Sequence, residues 1–287
     1  MAQVTGNTSN IEMKNLLNDV LLYAFPKDSH PIEKLQQFYV EYQRKEGKKN
    51  GDYQADFHRI RIFNLSRDSR SILLSSLHDL AHHIEVTFYG ETAHKERFYM
   101  YYHNLLVTAM GMNILNKSDL ILLDEKEKEK LEKYHEMVRY WQIPKIAYKE
   151  DTFYLDVRNG YPFRKLLREW GYKYLPLEEL WRGEFNKDSV WQEKAELIDY
   201  GVPEKEILVY HATDIQMSFV YYLVIRNAFD HRATLSKLGY RYGAYNLGKR
   251  NWVKKIPAHK LEEEKEKVEG LMGVAVKVLK ELPKSNE

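Results

Sequence analysis

The sequence predicts an α+β protein with two domains, and three observations lead to this fold class. The chain has 287 residues, of which 44% are hydrophobic, so it can form a sizeable core and is longer than a typical domain of roughly 150 residues. In the N-terminal half, a histidine-rich segment with helical spacing follows a strand-like stretch. The C-terminal half contains an internal repeat, and each copy reads as a strand, a helix and two more strands.

Composition limits the classes of function that remain. The chain has no cysteine, so it has no disulfide framework, and any bound metal must use His, Asp or Glu. Its first residues lack a basic stretch followed by an apolar one, and no apolar run approaches the ~20 residues that cross a bilayer. These features favour a cytoplasmic protein and argue against a membrane partner.

The N-terminal elements are predicted from periodicity and turn residues. Residues 10–23 have the spacing of a helix. Residues 31–64 are predicted to form a helix and then a hairpin, which turns at residues 46–52 and has FHRIRIFN (57–64) as its second strand. A helix that carries histidines is expected to follow this strand.

Charge alternation marks the predicted junction between domains. Residues 124–139 alternate in sign, which is typical of a solvated helix, and Pro144 closes that segment. We therefore predict a first domain at residues 1–140 and a repeat domain at residues 145–256. The remaining residues, 257–287, are predicted to form a C-terminal helix with LMGVAVKVL (271–279) as its apolar stretch.

Three histidines, in the spacing His78-x3-His82-x11-His94, form the candidate metal site. Residues four apart lie on one helix face, so His78 and His82 can present two imidazoles to one cation. The helix should end at Gly90, after which a short loop can return His94 to the same cation. A lone histidine near a core is usually a satisfied polar group, but five of the eleven histidines fall within residues 78–103. This density and spacing predict a metal site.

These residues resemble the SprT-like zinc metalloproteases of the zincin type. The family has a strand, a helix that bears HExxH, and a loop that delivers a third histidine followed by phenylalanine. Here the matching residues are His78-Asp79-Leu80-Ala81-His82 and then His94 with Phe98, within about residues 35–110. The resemblance implies a zincin domain in which His78, His82 and His94 bind Zn²⁺ and leave a fourth position open.

The chain departs from the family at the residue that carries the chemistry. Asp79 stands where the family has the glutamate that acts as general base, and aspartate is one methylene shorter. The helix can lie closer to the metal, a water molecule can bridge the gap, or the domain can bind zinc with little activity. Asp79 is accordingly the candidate catalytic residue.

The adjacent His78 and Asp79 also resemble the core of the HD-type phosphohydrolases. In that family a neighbouring His and Asp both bind a metal, with an upstream His and a downstream Asp, for which His58 and Asp119 or Asp124 are the candidates. Against this, His58 lies in a strand-like stretch, and His82 and His94 have no role. Coordination by Asp79 would favour this alternative, whereas coordination by His94 would favour the zincin.

The internal repeat relates YLDVRNGYPFRKLLREWGYKY (154–174) to YLVIRNAFDHRATLSKLGYRY (222–242) at an offset of 68 residues. A tryptophan follows in each copy, Trp181 and Trp252. Each copy is predicted to be a βαββ unit, at about residues 148–185 and 216–256, whose helix ends at a glycine. We interpret the two copies as a duplicated module.

Charge distinguishes the two copies. Residues 148–185 hold seven Lys and Arg against seven Asp and Glu, whereas residues 215–256 hold eight against one. Basic side chains interleaved with aromatic ones can neutralise phosphates and stack bases. The candidate nucleic-acid-binding residues are Arg226, Arg232, Lys237, Tyr240, Arg241, Tyr242, Lys249, Arg250, Trp252 and Lys254. The alternatives are cross-strand packing with a solvated surface, and a surface for a protein partner.

The repeats also resemble, on a few residues, the HARP modules of DNA-annealing enzymes. Together the two resemblances imply a cytoplasmic zinc metallopeptidase that acts on DNA-associated protein and is tethered by a nucleic-acid-binding module. A non-catalytic, zinc-containing nucleic-acid-binding protein is the alternative of the binding class.

Overall fold

The computed structural model describes residues 8–26, 31–45, 47–248, 250–280 and 282. The described residues form a mixed α and β protein with three small sheets, as the sequence predicts. They divide into two compact units. The first holds the described residues up to Asn64 and those from Asp68 to Gln216, and the second holds Leu65–Arg67 and the described residues from Met217 onward.

The N-terminal part of the first unit packs helices against a three-stranded sheet in the order β1-β3-β2. Its elements are α1 (Thr8–Ala24), α2 (Ile32–Leu35), β1 (Tyr39–Tyr42), β2 (Gly51–Gln54), β3 (Arg59–Ile62), α3 (Ser69–Tyr89), α4 (Glu96–Gly111) and α5 (Glu125–Tyr134). The predicted apolar stripe of α3 is fully buried, and it consists of Leu73, Leu77, Leu80 and Ile84. Its burial fixes which side chains α3 turns away from the core.

The predicted hairpin exists, but its strands are different. The antiparallel pair is β2 with β3, joined through a short turn at Ala55–Phe57 and a left-handed His58 (φ 45°). Residues 46–52 were predicted as the turn; of these, Gly51 and Asp52 belong to strand β2. The prediction was wrong because β1 pairs with β3 in parallel, which a two-strand hairpin does not allow.

The rest of the first unit is a four-stranded sheet in the order β5-β6-β4-β7. Its elements are β4 (Thr152–Arg158), α6 (Arg164–Glu169), β5 (Lys173–Leu175), β6 (Leu180–Asn186), α7 (Val190–Asp199) and β7 (Ile207–His211). Helix α1 contacts this part, since Glu12 lies 3.3 Å from Arg182 and Asp19 accepts a 2.8 Å hydrogen bond from Tyr148. The first repeat therefore shares a unit with the histidine helix, whereas the sequence predicts a boundary at residues 140–145.

The second unit is another four-stranded sheet, in the order β11-β8-β10-β9. Its elements are β8 (Val220–Arg226), α8 (Arg232–Lys237), β9 (Arg241–Tyr242), β10 (Trp252–Pro257), α9 (Leu261–Glu269) and β11 (Ala275–Leu279). In both four-stranded sheets, a helix and a further strand follow the predicted βαββ segment, and that strand pairs antiparallel with the first one.

The prediction of one C-terminal helix was wrong for its apolar stretch. Helix α9 ends at Glu269, and residues 275–279 form strand β11 on the open edge of β8. Gly273 takes a positive φ of 76° between them, and Val276 and Val278 favour extended structure. No helix within the described ranges is long and apolar enough to cross a membrane.

Candidate metal centre and nucleic-acid cleft

Helix α3 and the loop after it deliver the three histidines. Asp68 caps the helix by accepting a 2.8 Å hydrogen bond from the backbone N–H of Arg70, and Gly90 ends it in the left-handed conformation (φ 76°). The chain then reverses over four residues to His94, and α4 begins at Glu96. The predicted helix, its end and the returning loop are confirmed.

The three histidines meet through the same ring nitrogen. The Nε2 atoms are 3.2 Å apart between His78 and His82, 3.1 Å between His82 and His94, and 3.0 Å between His94 and His78. Nitrogens bound at ~2.0 to 2.1 Å in a tetrahedral site would be about 3.3 Å apart. This cluster can hold a metal ion.

Phe98 packs against all three rings. Its ring centroid lies 4.9 Å from that of His78, 4.4 Å from that of His82 and 4.8 Å from that of His94. Phe98 is fully buried on the first turn of α4, so it is a fixed apolar support for imidazoles of which only that of His94 belongs to an exposed residue. The trailing phenylalanine of the sequence pattern thus has a structural role.

His78 is oriented by a carboxylate from another helix. Glu127, in the first turn of α5, hydrogen bonds to Nδ1 of His78. Burial disfavours the imidazolium, but this hydrogen bond and the charge of Glu127 outweigh it and raise the pKa of His78. Because Nδ1–H is held by the carboxylate, the Nε2 atom of neutral His78 presents its lone pair to the cluster.

His82 is oriented through a hydroxyl. Thr92 donates a 2.7 Å hydrogen bond to Glu85 Oε2, so its oxygen must accept the 2.6 Å hydrogen bond from His82 Nδ1. This fixes the tautomer in which Nε2 of His82 is a free acceptor. Burial, with smaller contributions from His78 and His94, lowers the pKa of His82 to about 3 and keeps it in the neutral form that binds metals.

Glu85 also holds the loop that carries the third histidine. Its side chain is buried on α3, where it accepts 3.1 Å and 2.9 Å hydrogen bonds from the backbone N–H of Ala93 and from Arg97 Nε. These contacts flank His94 on both sides. Burial, followed by the charge of His78, lowers the pKa of His94.

We expect Glu85→Gln to weaken metal binding by about 10- to 100-fold, the usual effect of losing a partner behind the ligands. The amide cannot accept all three hydrogen bonds as a carboxylate does, so Thr92 and the His94 loop are freed. Titration calorimetry with Zn²⁺ measures this. Glu91→Gln is the matched control, because Glu91 is exposed and only 4.0 Å from the same Arg97; an equal loss in both variants would contradict the assignment.

Asp79 lies between the histidine helix and strand β2. Its side chain is buried, and a Cβ built on Gly51 would lie only 2.7 Å from Asp79 Oδ2. Glycine at position 51 therefore leaves room for the carboxylate beside this strand. The charge of Asp79 contributes to the raised pKa of His78, so the two groups interact electrostatically.

The residues of the HD-type alternative are not brought together. His58 hydrogen bonds to Tyr53 at 3.0 Å and packs on His83, while Asp119 lies 3.2 Å from Arg70. Among the described residues, the compact donor group contains His94 and does not contain Asp79. The geometry favours the three-histidine arrangement.

Comparisons with family models, with curated proteins and with solved structures found no match to this chain. The arguments on function therefore rest on the residues and their geometry.

The second unit contains a basic, aromatic cleft of about 1090 Å³. Five of the ten predicted nucleic-acid-binding residues line it, namely Arg226, Arg232, Tyr242, Arg250 and Trp252. Asn227 and Phe229 line it as well, and sequence reasoning missed both. Phe229 is 76% exposed, and its position in the turn between strand and helix, where a core residue is not expected, was the available signal.

The other predicted residues lie elsewhere. Tyr240 is buried, and Lys254 forms a 2.7 Å ion pair with Glu264 of α9, so neither is presented to a ligand. Lys237 and Arg241 are exposed outside the cleft lining, and Lys249 lies outside the described residues.

Proposed function

We propose that the protein is a zinc-dependent metallopeptidase of the SprT-like, zincin type. The convergence of three histidine Nε2 atoms carries this proposal. Three neutral imidazoles from a helix and a returning loop, with partners behind at least two of them, are a donor set suited to Zn²⁺ with an open position. When bound, zinc acts as a Lewis acid that polarises a carbonyl and activates water.

The side chains assign the remaining roles. His78 and His82 form the helix-borne pair, and the exposed His94 completes the site on the side that a substrate can approach. Asp79 is the carboxylate adjacent to the first ligand, and we assign it the general base, which takes a proton and passes it to the leaving amine. Strand β2 lies beside this carboxylate, at the edge of its sheet.

Cleavage of casein and of histone, by protein loaded with zinc and by metal-free protein, tests the activity. We expect zinc-dependent cleavage of both substrates. Activity that persists without zinc would overturn the metallopeptidase proposal. Stoichiometric zinc without cleavage would instead support the non-catalytic, zinc-containing nucleic-acid-binding protein.

We also propose that the second unit binds nucleic acid, most simply DNA, and tethers the peptidase to DNA-associated protein. The cleft supports this, because three arginines and three aromatic side chains share its lining. A tether raises the effective concentration of a DNA-bound substrate. DNA should therefore accelerate cleavage of histone, which binds DNA, and leave cleavage of casein unchanged.

Replacing Arg226, Arg232 and Arg250 by glutamine should weaken DNA binding and make it less dependent on salt. For three lost phosphate contacts, the slope of log K against log salt should fall by about 2 on a single strand. Fluorescence anisotropy of a labelled oligonucleotide at several salt concentrations measures both. Lys254→Gln is the control, since Glu264 already neutralises that lysine; an unchanged slope in the triple variant would contradict the cleft assignment.

A further inference from the structure

We propose that the first repeat carries a second nucleic-acid-binding site, which takes an unpaired base on Tyr161 and its phosphate on Arg158 and Arg164. The inference rests on the proposed binding of nucleic acid by the second unit. It adds a site in the first unit, where the neutral charge balance of residues 148–185 gave no reason to expect one.

The two repeats place corresponding residues at corresponding points of their sheets. Trp181 pairs with Val157 and with Tyr174, and Trp252 pairs with Ile225 and with Tyr242, which follow those partners by 68 residues. The turn after the first strand begins with a left-handed asparagine in each case, Asn159 (φ 50°) and Asn227 (φ 55°). Positions lining the cleft of the second unit can therefore be read across residue by residue.

An exposed aromatic ring with an arginine over it occurs at the same place in each repeat. Tyr161 is 73% exposed, and the guanidinium of Arg164 lies 4.3 Å from its ring centre. Phe229 and Arg232, 68 residues later, have the same arrangement at 5.1 Å. Large aromatic side chains at this exposure lose hydrophobic stabilisation, so their occurrence in both turns points to a ligand.

A second aromatic pair lies beside each ring. Tyr174 and Trp181 have ring centres 5.3 Å apart at 49°, and Tyr242 and Trp252 have theirs 5.4 Å apart at 61°. Trp252 lines the cleft, whereas Trp181 is buried, so in the first repeat the exposed Tyr174 is the available face. The first site should accordingly be shallower than the second.

Charge is segregated within the first repeat. From residue 158 to residue 174 it has five basic residues, Arg158, Arg164, Lys165, Arg168 and Lys173, and one acid, Glu169. The corresponding residues 226–242 have four and one. Two of the other acids, Asp156 and Glu178, are buried in an ion cluster with Arg182 and contribute little outside it. The turn and helix therefore present a basic surface despite the neutral total.

The chemistry favours single-stranded nucleic acid as the ligand. An exposed ring can stack on a base only if the base is unpaired and its face is accessible, and an adjacent guanidinium then reaches the phosphate. In a duplex the base faces are covered by their neighbours, so the aromatic rings would add nothing. Two such sites in one chain should bind an unpaired strand more tightly than either site alone.

Binding of fluorescent oligothymidylate to the full chain, and of a duplex of equal length, tests the proposal. We expect tighter binding of the single strand. Tyr161→Ala should weaken it on the order of tenfold, as loss of one stacked base does. Arg164→Gln should lower the salt slope by about 0.7. Phe229→Ala reports the second-unit site in the same assay, and circular dichroism checks folding.

The control is Tyr140→Ala, since Tyr140 is half exposed with Arg139 at 4.7 Å from its ring, away from either repeat. If Phe229→Ala weakens binding and Tyr161→Ala matches the control, the second site is overturned while the proposed function stands. If no variant alters binding, nucleic-acid binding itself fails. Equal or stronger binding of the duplex, or displacement of the strand by an acidic peptide at similar concentration, would overturn the assignment of unpaired bases.

Discussion

Replacing His94 by alanine should remove the metal from the protein and abolish hydrolysis. If three histidines share a binding free energy of about 10 kcal/mol, the loss of one ligand costs ~3 kcal/mol, or at least about a hundredfold in affinity. His94 is exposed on a loop, so its alanine variant should keep the fold. Metal content per chain after dialysis against a weak chelator measures the loss, and casein cleavage measures the consequence.

The matched control for this prediction is His58→Asn. His58 is a histidine of the same unit that lies outside the cluster, and asparagine tolerates its left-handed backbone (φ 45°). This control also tests the HD-type alternative, in which His58 binds the metal and His94 does not. Metal retained by His94→Ala and lost by His58→Asn would reverse our assignment.

Replacing Asp79 by asparagine should separate metal binding from catalysis. We expect kcat to fall by roughly 10²- to 10⁴-fold, the usual contribution of a general base, while the metal content stays at the wild-type value. Asparagine keeps the size of the side chain, so the contact with Gly51 on β2 is preserved. Stopped assays of casein cleavage, with parallel metal analysis, measure both quantities.

Asp68→Asn serves as the control for Asp79, since Asp68 lies at the start of the same helix and asparagine caps a helix equally well. An active Asp79→Asn variant would show that another group takes the proton. A variant that loses its metal would show that Asp79 is a ligand, as the HD-type scheme requires.

The elements with strong local signals could be predicted from the sequence. Helix α3 has an apolar stripe, an aspartate at its start and a glycine at its end, and each acts through neighbours within one turn. The same local geometry places His78 and His82 on one face. The βαββ order of each repeat was predictable because identical residues mark the same turns in both copies.

Elements that depend on a distant partner were missed or misplaced. Strand β1 pairs in parallel with β3, and strand β11 pairs with β8, about fifty residues earlier in the chain. The apolar stretch 271–279 is compatible with a buried helix or a strand, and only the free edge of β8 decides between them. The link between α1 and the first repeat, through Glu12 and Arg182, likewise has no local signature.

For the metal centre, the sequence by itself determined the ligands, because helical spacing, a helix-ending glycine and a short loop are local properties of residues 78–94. Only the tertiary structure decided which nitrogen each ligand presents. Glu127 reaches His78 from a helix 49 residues away, and Glu85 reaches His82 through Thr92. A hydrogen bond to Nδ1 depends on where separate elements pack, and packing of non-local elements is not encoded in the spacing of any one segment.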